Sequence, residues 1–219
     1  MTEIVLINPN TSAATTQMMA SIVRASLPAS LALLPKTARQ GVPMIVNSRE
    51  LKDSAAGVVE LAIECSATAQ GFLVAAFGDP GVKELRAIVN VPVLGLCEAG
   101  MQAATAGGRR FAIATVTPDL VNDFAAKAAE LGLSDRYLGT RLTSGDPRRL
   151  ASDPHVLQQA LEQAVRECFD LDQADAVIIG GGPLGQAAEA LSARFARPVI
   201  APLRAAAERM AALVACTGA

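Results

Sequence analysis

The side chains in this sequence that can move a proton at a strand end are few. Asp79 lies in AAFGDPG (75–81), where an apolar run breaks into a tight loop. Cys97 and Glu98 end the run VPVLGL (91–96). A thiol at a helix N-terminus can be poised as a thiolate. A carboxylate there can serve as general base, or as a first-turn acid favoured by the helix dipole. Asp79, Cys97 and Glu98 are therefore the catalytic candidates. Each also has a structural role open to it. Asp79 can cap a helix starting near Pro80, Cys97 can be a small buried apolar residue, and Glu98 can sit in a first turn. His155, the one histidine, follows Asp153-Pro154 at the start of a long helical stretch. An exposed place there argues against a Ser-His or Cys-His engine.

Three other stretches could hold a ligand. Asn8-Pro9-Asn10-Thr11-Ser12 joins a strand end to a helix start, where Thr11 or Ser12 can cap and exposed backbone N–H groups can hold an oxygen. Thr115-Val116-Thr117 precedes Pro118, which gives Thr117 the place of an N-cap. Gly180-Gly181-Gly182-Pro183 offers a close-approach backbone. It lacks the Lys and Ser/Thr of a phosphate-binding loop, so it does not indicate a nucleotide.

Short apolar runs alternating with helical stretches must position these groups. EIVLI (3–7), LALLP (31–35), GFLVAAF (71–77), VPVLGL (91–96), RFAIATV (110–116), DAVIIGG (175–181) and RPVIAP (197–202) read as strands. The helices read are 12–27, 54–70, 82–90, 98–107, 118–132, 154–170, one after 181, and a last one from Leu203. Continuous apolar strands between helices predict parallel sheets covered on both faces.

The second half repeats the first. VLINPNTS (5–12) matches AIATVTPD (112–119), GFLVAAFGDPG (71–81) matches DAVIIGGGPLG (175–185), and NVPVLGLCEAGMQAA (90–104) matches ARPVIAPLRAAAERM (196–210). The offsets are 112 − 5 = 107, 175 − 71 = 104 and 196 − 90 = 106. This near-constant spacing predicts an α/β fold of two pseudo-symmetric lobes, each a mainly parallel sheet flanked by helices, with a ligand cleft between them. Residues 1–98 plus 203–219 are assigned to the first lobe and 99–202 to the second. Ala76 then stands opposite Gly180 or Gly181.

Composition narrows the classes of function. The 219 residues are 51% hydrophobic with net charge −2. No basic cluster or aromatic platform points to nucleic acid, and no run reaches the length of a membrane span. The N-terminus reads as a first strand and not a signal peptide. Cys65, Cys97, Cys168 and Cys216 form no CxxC, so neither a metal site nor a disulfide framework is indicated. The expectation is a cytoplasmic protein without metal or cofactor, and alanine-rich helices fit a homo-oligomer.

INPNTS, AAFGDPG with the downstream VPVLGLCEA, and IIGGGPLG resemble the aspartate/glutamate racemase superfamily, specifically its hydantoin racemase branch. The resemblance runs over nearly the whole chain. It implies a cofactor-independent isomerase whose two cysteines, one per lobe, take a proton from one face of an acidic carbon and return one to the other. Here the expected cysteines are Ala76 and Gly181, and the Ala-Gly that follows the second is Gly182-Pro183. Gly41-Val42-Pro43-Met44-Ile45 also departs from the family's GPASI-like loop. The family's proton transfer therefore does not carry over, although its binding loops do. Asn8, Asn10, Ser12, Ala76, Phe77, Gly78, Asp79, Thr115, Thr117, Gly181, Gly182 and Pro183 are implied to line a cleft for a small ligand with carboxylate or imide oxygens. The functional readings are a racemase-family protein with divergent chemistry on a hydantoin-like or amino-acid-like substrate, a one-base lyase, decarboxylase or hydrolase, or a non-catalytic binding protein.

Overall fold

The computed structural model describes residues 2–217. In chain order the elements are β1 (Thr2–Asn8), α1 (Ala13–Ser26), β2 (Leu31–Thr37), α2 (Ser48–Asp53), α3 (Ala55–Cys65), β3 (Ala69–Val74), α4 (Val82–Arg86), β4 (Val93–Gly95), α5 (Leu96–Ala104), β5 (Phe111–Thr115), α6 (Val121–Glu130), β6 (Tyr137–Leu142), α7 (Pro147–Ala151), α8 (Pro154–Asp170), β7 (Ala176–Ile179), α9 (Gly185–Ser192), β8 (Val199–Ile200) and α10 (Pro202–Thr217).

The strands form two four-stranded parallel sheets of identical order, β2-β1-β3-β4 and β6-β5-β7-β8. The expected α/β fold of two equivalent sheets is therefore present. The central strands are apolar without alternation because both faces are covered. Ile4, Val5, Leu6 and Ile7 are fully buried, as are Val177, Ile178 and Ile179. One apolar cluster runs through both sheets, from Ile4 and Leu73 to Ile113 and Ile178. Helix α10 packs on α1, β3 and α5, and α5 also meets β7.

Several expected boundaries shift. The helix expected over 54–70 stops at Cys65, because Ala69 already pairs with Glu3 in the sheet. The strand expected over 71–77 ends at Val74, which leaves Ala75, Ala76 and Phe77 in the loop. The helix expected over 82–90 is only the five-residue α4. Strand β6 and the short helices α2 and α7 were not anticipated. Residues 118–120 form a 3-10 turn before α6.

Candidate functional site

The carboxyl ends of the central strands β1 and β3 face those of β5 and β7. Hydrogen bonds settle how the two halves correspond there. Ala75 N–H donates to Ile7 O at 2.8 Å, and Gly180 N–H donates to Ala114 O at 2.9 Å. Asp79 N–H donates to Ala76 O, and Leu184 N–H donates to Gly181 O. Ala76 therefore corresponds to Gly181, not to Gly180, and Leu184 stands where Asp79 stands in the first lobe.

A cleft lies between the sheets. Its first-lobe wall carries Asn10, Met44, Ile45, Leu51, Ala75, Ala76 and Phe77. Its second-lobe wall carries Val116, Thr117, Leu120, Phe124, Gly180, Gly181, Gly182, Pro183 and Leu184. Of the residues expected to line it, Asn10, Ala76, Phe77, Thr117, Gly181, Gly182 and Pro183 are there. Asn8, Ser12, Gly78, Asp79 and Thr115 stand behind it or beside it. The apolar wall of Met44, Ile45, Leu51, Leu120 and Phe124 was missed. It comes from loops and helix faces that only the folded chain brings together.

Asn8 is fully buried and organises the first strand end. Its Nδ2 donates to Asn10 Oδ1 at 2.8 Å and to Thr16 Oγ1 at 2.9 Å, and its Oδ1 accepts from Asn10 N–H at 3.1 Å. Asn10 Oδ1 also accepts from Ser12 N–H at 2.9 Å. Both acceptor sites of Asn10 are thus engaged, while its Nδ2 has no partner among the described residues. Asn10 therefore presents an N–H donor to the cleft. Ser12, rather than Thr11, caps α1, with its Oγ accepting from Thr15 N–H at 3.2 Å.

The second lobe repeats this with hydroxyls. Thr115 is fully buried, and its hydroxyl donates to Gly180 O at 2.6 Å. Its one proton is then committed. The 3.2 Å contact between Thr115 Oγ1 and Thr117 Oγ1 must use the proton of Thr117. Thr117 accordingly presents lone pairs to the cleft. It makes no side-chain cap to the following turn, contrary to its expected role.

The two positions at which the resemblance leads one to expect thiols carry no acid–base group. Ala76 has a methyl group. Gly181 adopts φ +154°, a conformation that disfavours L side chains, and a Cβ built on it would lie 2.9 Å from the Leu184 side chain. At Gly182 a Cβ would meet Ala75 O at 2.7 Å, so the lobes touch through backbone there. Phe77 closes the floor, edge-to-face with Phe124 at 5.1 Å between centroids.

Asp79, Cys97 and Glu98 are together, but outside the cleft wall. The expected cap of the helix near Pro80 is not made. Gly81 holds the N-cap place of α4. Asp79 instead caps α5, its two oxygens accepting from Cys97 N–H at 2.7 Å and Glu98 N–H at 2.9 Å. Burial pushes the Asp79 carboxyl up to about 7 against the pull of these N–H bonds, with the nearby Glu98 carboxylate adding to the rise. Cys97 is fully buried, and burial, reinforced by the Asp79 charge, pushes its thiol well up. Glu98 accepts from Gly95 N–H at 3.2 Å and pairs with Arg86. His155 is exposed, far along the chain from any wall residue. The described residues hold no group of three His, Cys, Asp or Glu side chains suited to a metal ion. Among them no helix is long and apolar enough to cross a membrane.

Two like parallel sheets meeting at their carboxyl ends over one small cleft define a two-lobed α/β protein of the pseudo-symmetric racemase class. A family model described as Asp/Glu/Hydantoin racemase matches residues 4–210, and the chain belongs to that family of isomerases. It is 25% identical over 217 residues to a hydantoin racemase of Paenarthrobacter aurescens, covering 97% of this chain and 91% of that one. Its fold superposes on an allantoin racemase from Klebsiella pneumoniae with TM-score 0.93 at 27% identity, covering 99% of this chain and 89% of the other. A glutamate racemase from Francisella tularensis shares the fold with TM-score 0.69 at 11% identity, covering 99% and 82%.

Proposed function

We propose that the cleft takes a small hydantoin-like ring by its amide edge and promotes proton exchange at the ring carbon without a thiol pair. The donor–acceptor pair of Asn10 and Thr117 carries this reading. A cyclic imide or ureide offers a carbonyl oxygen and an N–H on one edge, and these complement an amide donor and a hydroxyl acceptor. A carboxylate offers acceptors only, so it leaves the Thr117 lone pairs facing like charge density. Relatives named as hydantoin and allantoin racemases support the same ligand class.

No side chain in the cleft wall titrates near neutral pH. What the site supplies is stabilisation of a developing enolate oxygen by fixed donors in an apolar setting. Asn10 Nδ2 is one such donor. The backbone N–H groups of Ala76, Phe77, Gly181 and Gly182 have no partner among the described residues and add others. Water then removes and returns the proton. The Asp79 and Glu98 carboxylates are engaged around the start of α5 and the Cys97 thiol is buried outside the cleft wall, which argues against a one-base reaction through them.

Solvent-deuterium incorporation into a panel of 5-substituted hydantoins and 2-substituted dicarboxylates tests this. Exchange confined to the hydantoins is expected, and Asn10→Ala should slow it by about a hundredfold. Hydantoins that raise the melting temperature without exchanging would make the cleft a binding site without turnover. Dicarboxylates binding in their place would overturn the amide-edge reading.

A further inference from the structure

We propose that the segment from Gln40 to Glu50 is a strap that gates the cleft, latched onto the second lobe by Ser48 and Glu50. The strap leaves the first lobe after β2, where Ala38 N–H donates to Asn8 O and Arg39 is held by Glu60 and Glu64. It then crosses the cleft mouth. Met44 packs on the core cluster of the second lobe, and Ile45 on the cluster shared by both sheets. Both line the cleft.

The latch is polar and superficial. Ser48 Oγ donates its one proton to Asp123 Oδ2 and lies 3.2 Å from Asp119 O, and Arg148 pairs with Glu50 at 3.7 Å. Asp119 and Asp123 stand at the start of α6 and Arg148 in α7, all in the second lobe. Exposed pairs of this kind contribute little each, so they can open and close readily.

The two sides of the strap differ in free volume. The cleft it covers holds about 40 Å³, room for a few waters and too little for a substituted ring. Behind it, a cavity of about 320 Å³ lies between the strap and α3, lined by Val42, Ile45, Glu50, Ala56, Gly57 and Leu61 among others. Ile45 borders both spaces. Withdrawal of the strap into the rear cavity enlarges the cleft without parting the sheets. Gly41 provides the pivot, with φ +117° and nothing within 4 Å of where its Cβ would be. Thr11 N–H donates to Val42 O at 3.0 Å beside that pivot, so movement of the strap strains this bond.

A test that needs no ligand reads access to the cleft floor. Cys65, Cys97 and Cys168 are buried and Cys216 is exposed, so Cys216→Ser leaves a quiet background. An Ala76→Cys thiol in that background is alkylated with iodoacetamide, with and without Ser48→Ala and Arg148→Ala. Freeing the latch is expected to raise the alkylation rate about fivefold or more. Amide exchange should speed up in parallel at Thr11 and at Val46, whose N–H donates to the latch residue Glu50 at 2.8 Å, while Ala75, bonded to the central strand, should not change. An unchanged alkylation rate would overturn the gate. So would faster alkylation with Thr11 and Val46 unaffected, because that pattern means the lobes part as whole bodies. Thr117→Cys on the opposite wall serves if Ala76→Cys folds poorly. Failure of this test leaves the amide-edge reading untouched, since no substrate enters it.

Discussion

Gly95 makes room for Asp79. A Cβ on Gly95 would lie 2.1 Å from the Asp79 carboxyl carbon and 2.2 Å from Oδ1. The glycine is required by what stands beside it, for its φ of −98° suits any residue. Asp79 needs that closeness to reach the first N–H groups of α5. Gly95→Ala should therefore displace the carboxylate and orphan buried donors at 97 and 98, at a cost of about 3 kcal/mol. Urea denaturation measures it. A loss under about 1 kcal/mol would mean the cap re-forms in another geometry.

Asp79 should also make stability depend on pH. Its folded pKa, about 7, lies above the ordinary carboxyl value of 3.8. Between those values the folded state holds a proton that the unfolded state has lost, so stability falls as pH rises through the window and levels off above 7. Asp79→Asn removes the titration while keeping one acceptor oxygen. Melting curves from pH 4 to 8 should show a downward slope for the parent that is absent in the variant. Parallel curves would mean that another group sets the dependence.

This cap shows where the sequence stops being readable. GDPG announces a turn, and the turn is there, but the helix that Asp79 caps begins after Gly95. No local pattern announces a partner eighteen residues away. The central strands were legible because burial on both faces makes them continuously apolar. β6 was not, since YLGTRL is an edge strand whose residues are all partly exposed or exposed, with Arg141 and a glycine breaking the run. The internal repeat foretold which loops meet. It could not decide between Gly180 and Gly181 as the counterpart of Ala76, because offsets of 104 to 107 differ by more than one residue. The hydrogen bonds of Ala75 and Gly180 to equivalent strands decide it. Met44 and Phe124 were invisible as wall residues for the same reason as the cap: they arrive from segments with no counterpart in the strand-end motifs.

Positions 76 and 181 should respond differently to cysteine. Ala76 has ordinary backbone geometry and room at the cleft, so Ala76→Cys is expected to fold with a change under about 0.5 kcal/mol. Gly181→Cys forces a side chain into a φ of +154° and against Leu184, and should lose roughly 1–3 kcal/mol. Chemical denaturation of the two variants side by side checks this. Equal stabilities would show that the second loop relaxes to accept a side chain. In that case the double variant becomes a fair trial of thiol-based racemisation in this cleft.

Asn10 and Thr117 should recognise opposite halves of one amide. Asn10→Ala removes the donor to the ring carbonyl, and Thr117→Val removes the acceptor for the ring N–H. Each should weaken binding of a 5-substituted hydantoin by about tenfold, which is ~1.4 kcal/mol. Methylation of the ring nitrogen separates the two. The parent protein should bind the N-methyl ring more weakly than the free ring, because the methyl group meets the Thr117 oxygen. In Thr117→Val that penalty should shrink to the steric contact with the valine methyl, since the ring no longer loses a hydrogen bond. In Asn10→Ala the penalty should persist. Titration calorimetry of the three proteins with the two rings gives the pattern. A methylation penalty that is the same in all three would mean that the ring N–H points away from Thr117 and that the hydroxyl serves only to hold the Thr115–Gly180 strand end.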